Sequence, residues 1–152
     1  MPFTYSISVG IGAGFVSYRL GGALDALYAE HARSDGDGID PASLARVGTM
    51  LGPWHIDRVL AQGGMGTVYE ASRADGQYEK KVALKCIRAE MSSPVLVDAF
   101  MRERNHLAKL DHPNIAPLLD GGVEGDGRPW FAMRLVQGVS VDQWADQQRL
   151  EL

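Results

Sequence analysis

The chain has 152 residues, 45% of them hydrophobic and 22% charged, which is enough for one domain with a real core and too few for two. A formal net charge of -4, with no concentrated Lys/Arg patch, excludes a nucleic-acid or anionic-membrane surface. The single cysteine, Cys86, excludes an internal disulfide and a cysteine-based zinc cluster, so a reducing, cytoplasmic setting is the default and Cys86 reads as a buried thiol.

The uncharged stretch from Pro2 to Tyr18 is interrupted by glycines and serines and falls short of the roughly 20 apolar residues of a spanning helix. It has no basic leader, so it does not read as a signal peptide. Gly10, Gly12 and Gly14 do not complete a GxGxxG pattern, because Phe15 and Ser17 occupy the closing positions. Leu20, Leu24, Leu27 and Tyr28 recur at helical spacing and predict a short amphipathic helix without an evident partner. "RSDGDGIDPAS" then has the composition of a solvated linker, which places residues 1–46 as an extension and linker and starts the folded unit near Val47.

From there the pattern is strand, loop, strand: "WHIDRVLA" and "TVYEASR" flank "QGGMG" and predict a hairpin. "VALKCIR" predicts a third strand on the same sheet. "PVLVDAFMRERNHLAKL" predicts one long helix, Pro94 to Leu110, with Ser92 or Ser93 as its N-cap and Pro94 in its first turn. "IAPLLDGG" and "WFAMRLV" flank "EGDGR" as a last hairpin, and "SVDQWADQQRL" starts another helix. The fold class is α+β, with a five-stranded antiparallel sheet and one long packed helix.

Gly63, Gly64 and Gly66 could cradle a phosphate, since a missing Cβ lets backbone N–H groups approach an anion. A dinucleotide fold needs such a loop to open a helix, and a Walker A loop needs Gly-Lys-Ser/Thr; "TVYEA" meets neither demand. Taken alone, the glycine cluster reads more readily as a Gly-rich turn with no ligand. Two side chains change the balance. Lys85 shares a strand face with Ala83, and Glu103 falls on the apolar stripe Phe100, Glu103, Leu107, Leu110. Taken singly, Lys85 reads as an edge lysine and Glu103 as a surface partner of Arg102 or Arg104. If the helix packs on the sheet, the two meet as a partly buried pair, and a lysine so fixed can hold phosphate oxygens.

In order along the chain, "GGMGTVYEA", "VALK", "FMRERNHLAKLDHPNI" and "MRLVQG" resemble the Gly-rich loop, the strand lysine, the C helix with its exit and the hinge of a bacterial Hanks-type serine/threonine protein kinase. The resemblance covers roughly Leu51 to Leu152, which makes residues 47–138 an N-terminal lobe to its hinge and 139–152 the start of the D helix. It implies ATP as ligand, with Gly63, Gly64 and Gly66 near the phosphates, Lys85 on the α- and β-phosphates and Glu103 orienting Lys85. It also implies Leu60, Val68 and Ala83 as the roof of the adenine pocket, Met133 as gatekeeper, and the backbone of Arg134 and Val136 on the base. Leu107 and Leu118 resemble the lobe's two members of the stacked hydrophobic spine. Ala61 replaces the first loop glycine, which stiffens the loop. Arg134 stands where the hinge often carries an acidic residue.

Catalysis in this family further needs an Asp to orient the substrate hydroxyl and an Asn and an Asp to hold magnesium, supplied by HRDxxxxN and DFG segments; neither segment occurs after Gly138. The chain reads as a kinase lobe truncated before its C-lobe, inactive alone, with magnesium ligands absent and a C-lobe, a partner kinase and a protein substrate as implied partners. On this view Leu60, Val68, Ala83, Met133 and Leu135 line an exposed apolar cleft. The alternatives are a non-catalytic, pseudokinase-like interaction module and a gene fragment without function.

Overall fold

The computed structural model describes residues 38–63, 66–113 and 115–137. Six antiparallel strands form one sheet: β1 (Met50–Leu51), β2 (Trp54–Gln62), β3 (Gly66–Arg73), β4 (Lys81–Ile87), β5 (Leu118–Val123) and β6 (Pro129–Arg134), in the order β1-β2-β3-β4-β6-β5. Five match the predicted strands. The two-residue β1, paired back on β2 across a turn where Gly52 takes φ +56°, has no hydrophobic run long enough to announce it. Helix α1 is Pro41–Ala45, and the long helix α2 is Pro94–Ala108.

Period-two alternation gives this sheet two buried faces. Along β4, Val82, Leu84 and Cys86 join Trp54, Ile56, Tyr69, Ala71, Trp130 and Ala132 in one core. Ala83 and Ile87 point the other way, into a core shared with Val68, Phe131, Met133 and the α2 residues Leu96, Ala99, Phe100 and Leu107. The first core fills the concave side of a curled sheet. Trp54 of β2 donates its indole N–H to Asp120 of β5 at 2.8 Å, although the two strands stand near opposite ends of the strand order. The Trp130 ring lies so close to Gly122 that a Cβ there would come within 2.7 Å of it, so β5 can take only glycine at that point.

Helix α2 begins where Ser93 accepts a bond from the Leu96 N–H, with Pro94 in the first turn, so Ser93 and not Ser92 is the cap. It ends at Ala108, two residues before the predicted end, and Leu110 is exposed rather than part of the packed stripe. The buried stripe is Leu96, Ala99, Phe100, Glu103 and Leu107. Phe100 meets Phe131 of β6 with ring centroids 5.0 Å apart, and burying either ring stabilises the docked helix by about 1.5–3 kcal/mol.

Packed structure starts earlier than Val47. Asp40 caps α1, Ser43 is buried, and Arg46 makes a two-bond contact of 3.0 and 2.9 Å with Glu124 in the β5–β6 turn. The Asp/Ser/Pro composition that reads as linker is also that of a capped short helix held by polar contacts. The helices predicted at 20–32 and after Ser140 lie outside the described residues.

Candidate functional site

Strand β4 aims Lys85 at α2 because its register with β3 and β6 places Val68 and Phe131 beside it. Helix α2 aims Glu103 at the sheet because that position lies on its buried stripe. The two side chains meet at 2.6 Å, with only 5% of the lysine and 2% of the glutamate side chain exposed. Arg102 pairs instead with Asp98, and Arg104 bonds Asn105, so neither neighbour competes for Glu103. The Lys85 ammonium lies 6.0 Å from the Phe100 ring centroid. Glu103 Oε2 has no hydrogen-bond partner among the described residues.

Such a pair adds little net stability, because desolvating two charges offsets most of their attraction. What it does chemically is hold one ammonium at a fixed point against the helix.

The Gly-rich hairpin joins β2 to β3, the strand that neighbours Lys85. Gln62 and Thr67 form the last rung before the loop, and the Gly63 N–H donates to the Gly66 carbonyl at 3.0 Å. That amide is therefore engaged inside the hairpin. A Cβ on Gly66 would come within 2.4 Å of the Cys86 carbonyl, so Gly66 is required by the close approach of β3 to β4 whatever the loop binds. Gly64 lies outside the described residues.

Val68, Ala83 and Met133 lie on the Lys85 face, and Leu60, Ala61, Leu118, Leu135 and Val136 pack at the border of the same core. The expected exposed cleft is not what these side chains form. Val68 is 1%, Ala83 0% and Met133 6% exposed, because they sit in central strands with Phe131 and Ile87 against them, while Leu60 and Leu135 are half-buried. The Arg134 side chain is exposed, and its N–H donates to the Pro117 carbonyl at 3.1 Å.

Sequence reasoning missed Phe131, which lies opposite Lys85 in the β4–β6 register. Nothing local to "PWFAMR" signals that β6 inserts between β4 and β5. It also missed Glu70, a buried carboxylate bonded by Lys81 at 2.7 Å and by Arg58 at 2.8 Å. The bond from Lys81, with Arg58 adding to it against the effect of burial, holds that carboxyl below its ordinary range. Alternation placing Arg58, Glu70 and Lys81 on adjacent strands was the available signal.

Among the described residues no group of three or more His, Cys, Asp or Glu side chains could hold a metal ion. Nor is any helix among them long and apolar enough to cross a membrane.

A curled antiparallel sheet, a long helix packed against it and a buried lysine–glutamate pair joining the two define the N-terminal lobe of a protein kinase. Residues 54–152 match the family described as protein tyrosine and serine/threonine kinase, and the chain belongs to that family. It is 41% identical over 99 residues to the serine/threonine-protein kinase PknH of Mycobacterium bovis, a match covering 64% of this chain and 16% of that protein. To PknE of Mycobacterium tuberculosis it is 38% identical over 104 residues, covering 68% of this chain and 18% of the relative. The crystal structure of the Mycobacterium tuberculosis PknI kinase domain superposes with a TM-score of 0.52 at 28% identity, over 67% of this chain and 40% of that domain. The chain thus spans about a sixth of the curated relatives it matches and corresponds to the N-lobe region of a kinase domain.

Proposed function

We propose that this lobe binds ATP under the Gly-rich hairpin, as the nucleotide-holding part of a kinase that phosphorylates protein serine or threonine. The observation that carries this reading is the buried 2.6 Å contact between Lys85 and Glu103. Stability does not demand it, since apolar residues of similar volume serve a core as well or better. Anion binding does, since a phosphate needs a cation held in place before it arrives.

In this reading Lys85 Nζ holds oxygens of the α- and β-phosphates and Glu103 keeps the ammonium at that height. Leu60, Val68 and Ala83 cover the base, Met133 limits the depth of its pocket, and the backbone of Arg134 and Val136 hydrogen-bonds it. ATP supplies the phosphoryl group to be transferred. Gly66 acts by letting β3 approach β4, which lowers the hairpin onto the site; Gly63 and Gly64 shape the loop above it. ATP and magnesium are general requirements of the family, and the described residues offer the metal no ligand cluster. In this reading the part of the described residues is to bind and orient nucleotide. The C-lobe segments that position magnesium and the protein hydroxyl are the implied partners, and the cytoplasm, where ATP is held, is the implied setting.

The test is covalent labelling with an ATP analogue carrying a lysine-reactive group. The chain has four lysines, of which Lys80, Lys81 and Lys109 are exposed and Lys85 is buried. Site-directed labelling falls on Lys85, is blocked by ATP and disappears in Lys85→Met. Labelling spread over the three exposed lysines and indifferent to ATP overturns the reading.

A further inference from the structure

Helix α1 grips the Gly-rich hairpin at one rung. The Asp40 carboxylate accepts bonds from the N–H groups of Ala42 and Ser43 and from the Ser43 hydroxyl, which fixes the short helix. The Asp40 N–H donates to the Gln62 side-chain carbonyl at 2.8 Å. Ser43 Oγ lies 2.8 Å from Thr67 Oγ1, both residues being buried, and the Tyr69 hydroxyl donates to the Ser43 carbonyl at 3.2 Å. Gln62 and Thr67 are register partners, the last pair before the loop. One contact therefore reaches the β2 arm of the hairpin at Gln62 and two reach the β3 arm, at Thr67 and Tyr69.

The attachment is polar. Ile39, Leu44 and Val47 are exposed, and Ser43 is the one buried residue of α1. Beside these bonds a pocket of about 160 Å³ is lined by Ser43 and Arg46 of the segment and by Thr67, Tyr69, Cys86 and Arg88. A segment held this way can let go without opening either core, and its hydrogen bonds are lost one by one.

We propose that residues 40–46 form a strap that sets the position of the Gly-rich hairpin, with Ser43, Gln62 and Thr67 as positioning residues for nucleotide binding. The inference rests on the reading that the hairpin covers ATP. Releasing the strap frees the last rung, lets the loop rise from Lys85 and weakens nucleotide binding without altering the Lys85–Glu103 pair. Any event that pulls on the chain before Asp40 is thereby transmitted to the loop.

The test uses the full chain with Ser43→Ala, Thr67→Val and the double variant, each nearly isosteric, so that only the hydroxyl contact is lost. Amide hydrogen exchange is followed from Gly63 to Val68, with Phe131 to Met133 as the internal control, alongside labelling by the lysine-reactive ATP analogue. Each single variant should exchange roughly five-fold faster in the hairpin, as the loss of one net hydrogen bond gives, with the control strand unchanged. The double variant should add little, because both substitutions break one contact. Labelling of Lys85 should need several-fold more analogue in the same variants. Unchanged hairpin exchange, or equal acceleration in the control strand, overturns the strap. Faster hairpin exchange with unaltered labelling overturns its role in positioning. A wild-type chain that takes no label at Lys85 removes the nucleotide reading itself, and the wild-type control alone reveals that.

Discussion

Replacing Lys85 by methionine keeps the length of the side chain and removes its charge, leaving Glu103 as a carboxylate 2% exposed with neither oxygen bonded among the described residues. Breaking a buried pair in this way costs about 3–5 kcal/mol, a large share of the roughly 5–15 kcal/mol that holds a domain together. With a urea slope of about 2 kcal/mol/M, the unfolding midpoint should fall by about 2 M. The companion variant Lys85→Met/Glu103→Leu removes the stranded charge and should recover the loss, ending equal to the parent or up to about 4 kcal/mol more stable. Urea titrations followed by tryptophan fluorescence are suitable, since Trp54 and Trp130 are both buried. A single variant within about 0.5 kcal/mol of the parent, the range of ordinary surface substitutions, would refute the claim that the pair is desolvated. A double variant as unstable as the single one would show that the loss came from packing around the lysine stem and not from the charge.

Gly66→Ala should destabilise the lobe by about 1–3 kcal/mol with no nucleotide present, since its Cβ would meet the Cys86 carbonyl, while Gly125→Ala, with open space around it, should leave the melting temperature unchanged. Burial pushes the Cys86 thiol from its ordinary 9.0 up to about 12, against the pull of Arg46. A pKa raised by folding contributes stability that is complete below pH 9 and is lost as pH rises toward 12. The stability advantage of the parent over Cys86→Ala should therefore shrink across that window, by at most about 1.4 kcal/mol per pH unit, and native Cys86 should resist alkylation that the unfolded chain accepts. A polypeptide of just these 152 residues should transfer no phosphate from ATP to casein or to itself, because its sequence contains no HRD or DFG segment; Lys85-dependent incorporation of labelled phosphate would contradict this.

Strands and helix were legible where one period dominated. Alternation through "VALKCIR" and the three-and-four spacing of Phe100, Glu103 and Leu107 each point one charged residue inward, and two inward charges of opposite sign imply a meeting. The end of the stripe was not legible, because Leu110 continues the spacing after the helix has stopped at Ala108. Strand order was not legible either. The insertion of β6 between β4 and β5 is a property of the whole sheet, and it puts Phe131 beside Lys85. Helix α1 was not legible for a chemical reason: Asp, Ser and Pro are favoured both in solvated linkers and at the starts of helices, and contacts distant in sequence, such as that of Ser43 with Thr67, separate the two.

The position of Lys85 is decided largely by residues that never touch it. In β4 a slip of one residue would turn Lys85 into the concave core and Cys86 or Leu84 toward α2. What forbids the slip is the concave face itself, where Val82, Leu84 and Cys86 fit against Tyr69, Trp130 and Ala132, and where the Trp54–Asp120 bond joins strands near the two ends of the order. Gly66 adds a second lock, since β3 can lie this close to the Cys86 carbonyl only at a residue without a Cβ. The convex face is thus free to carry a buried ion pair that contributes little to stability, because the register is held from the other side. Substitutions in the concave core that alter shape without unfolding the lobe, such as at Trp130 or Cys86, should for that reason act on the Lys85–Glu103 distance through the register of β4.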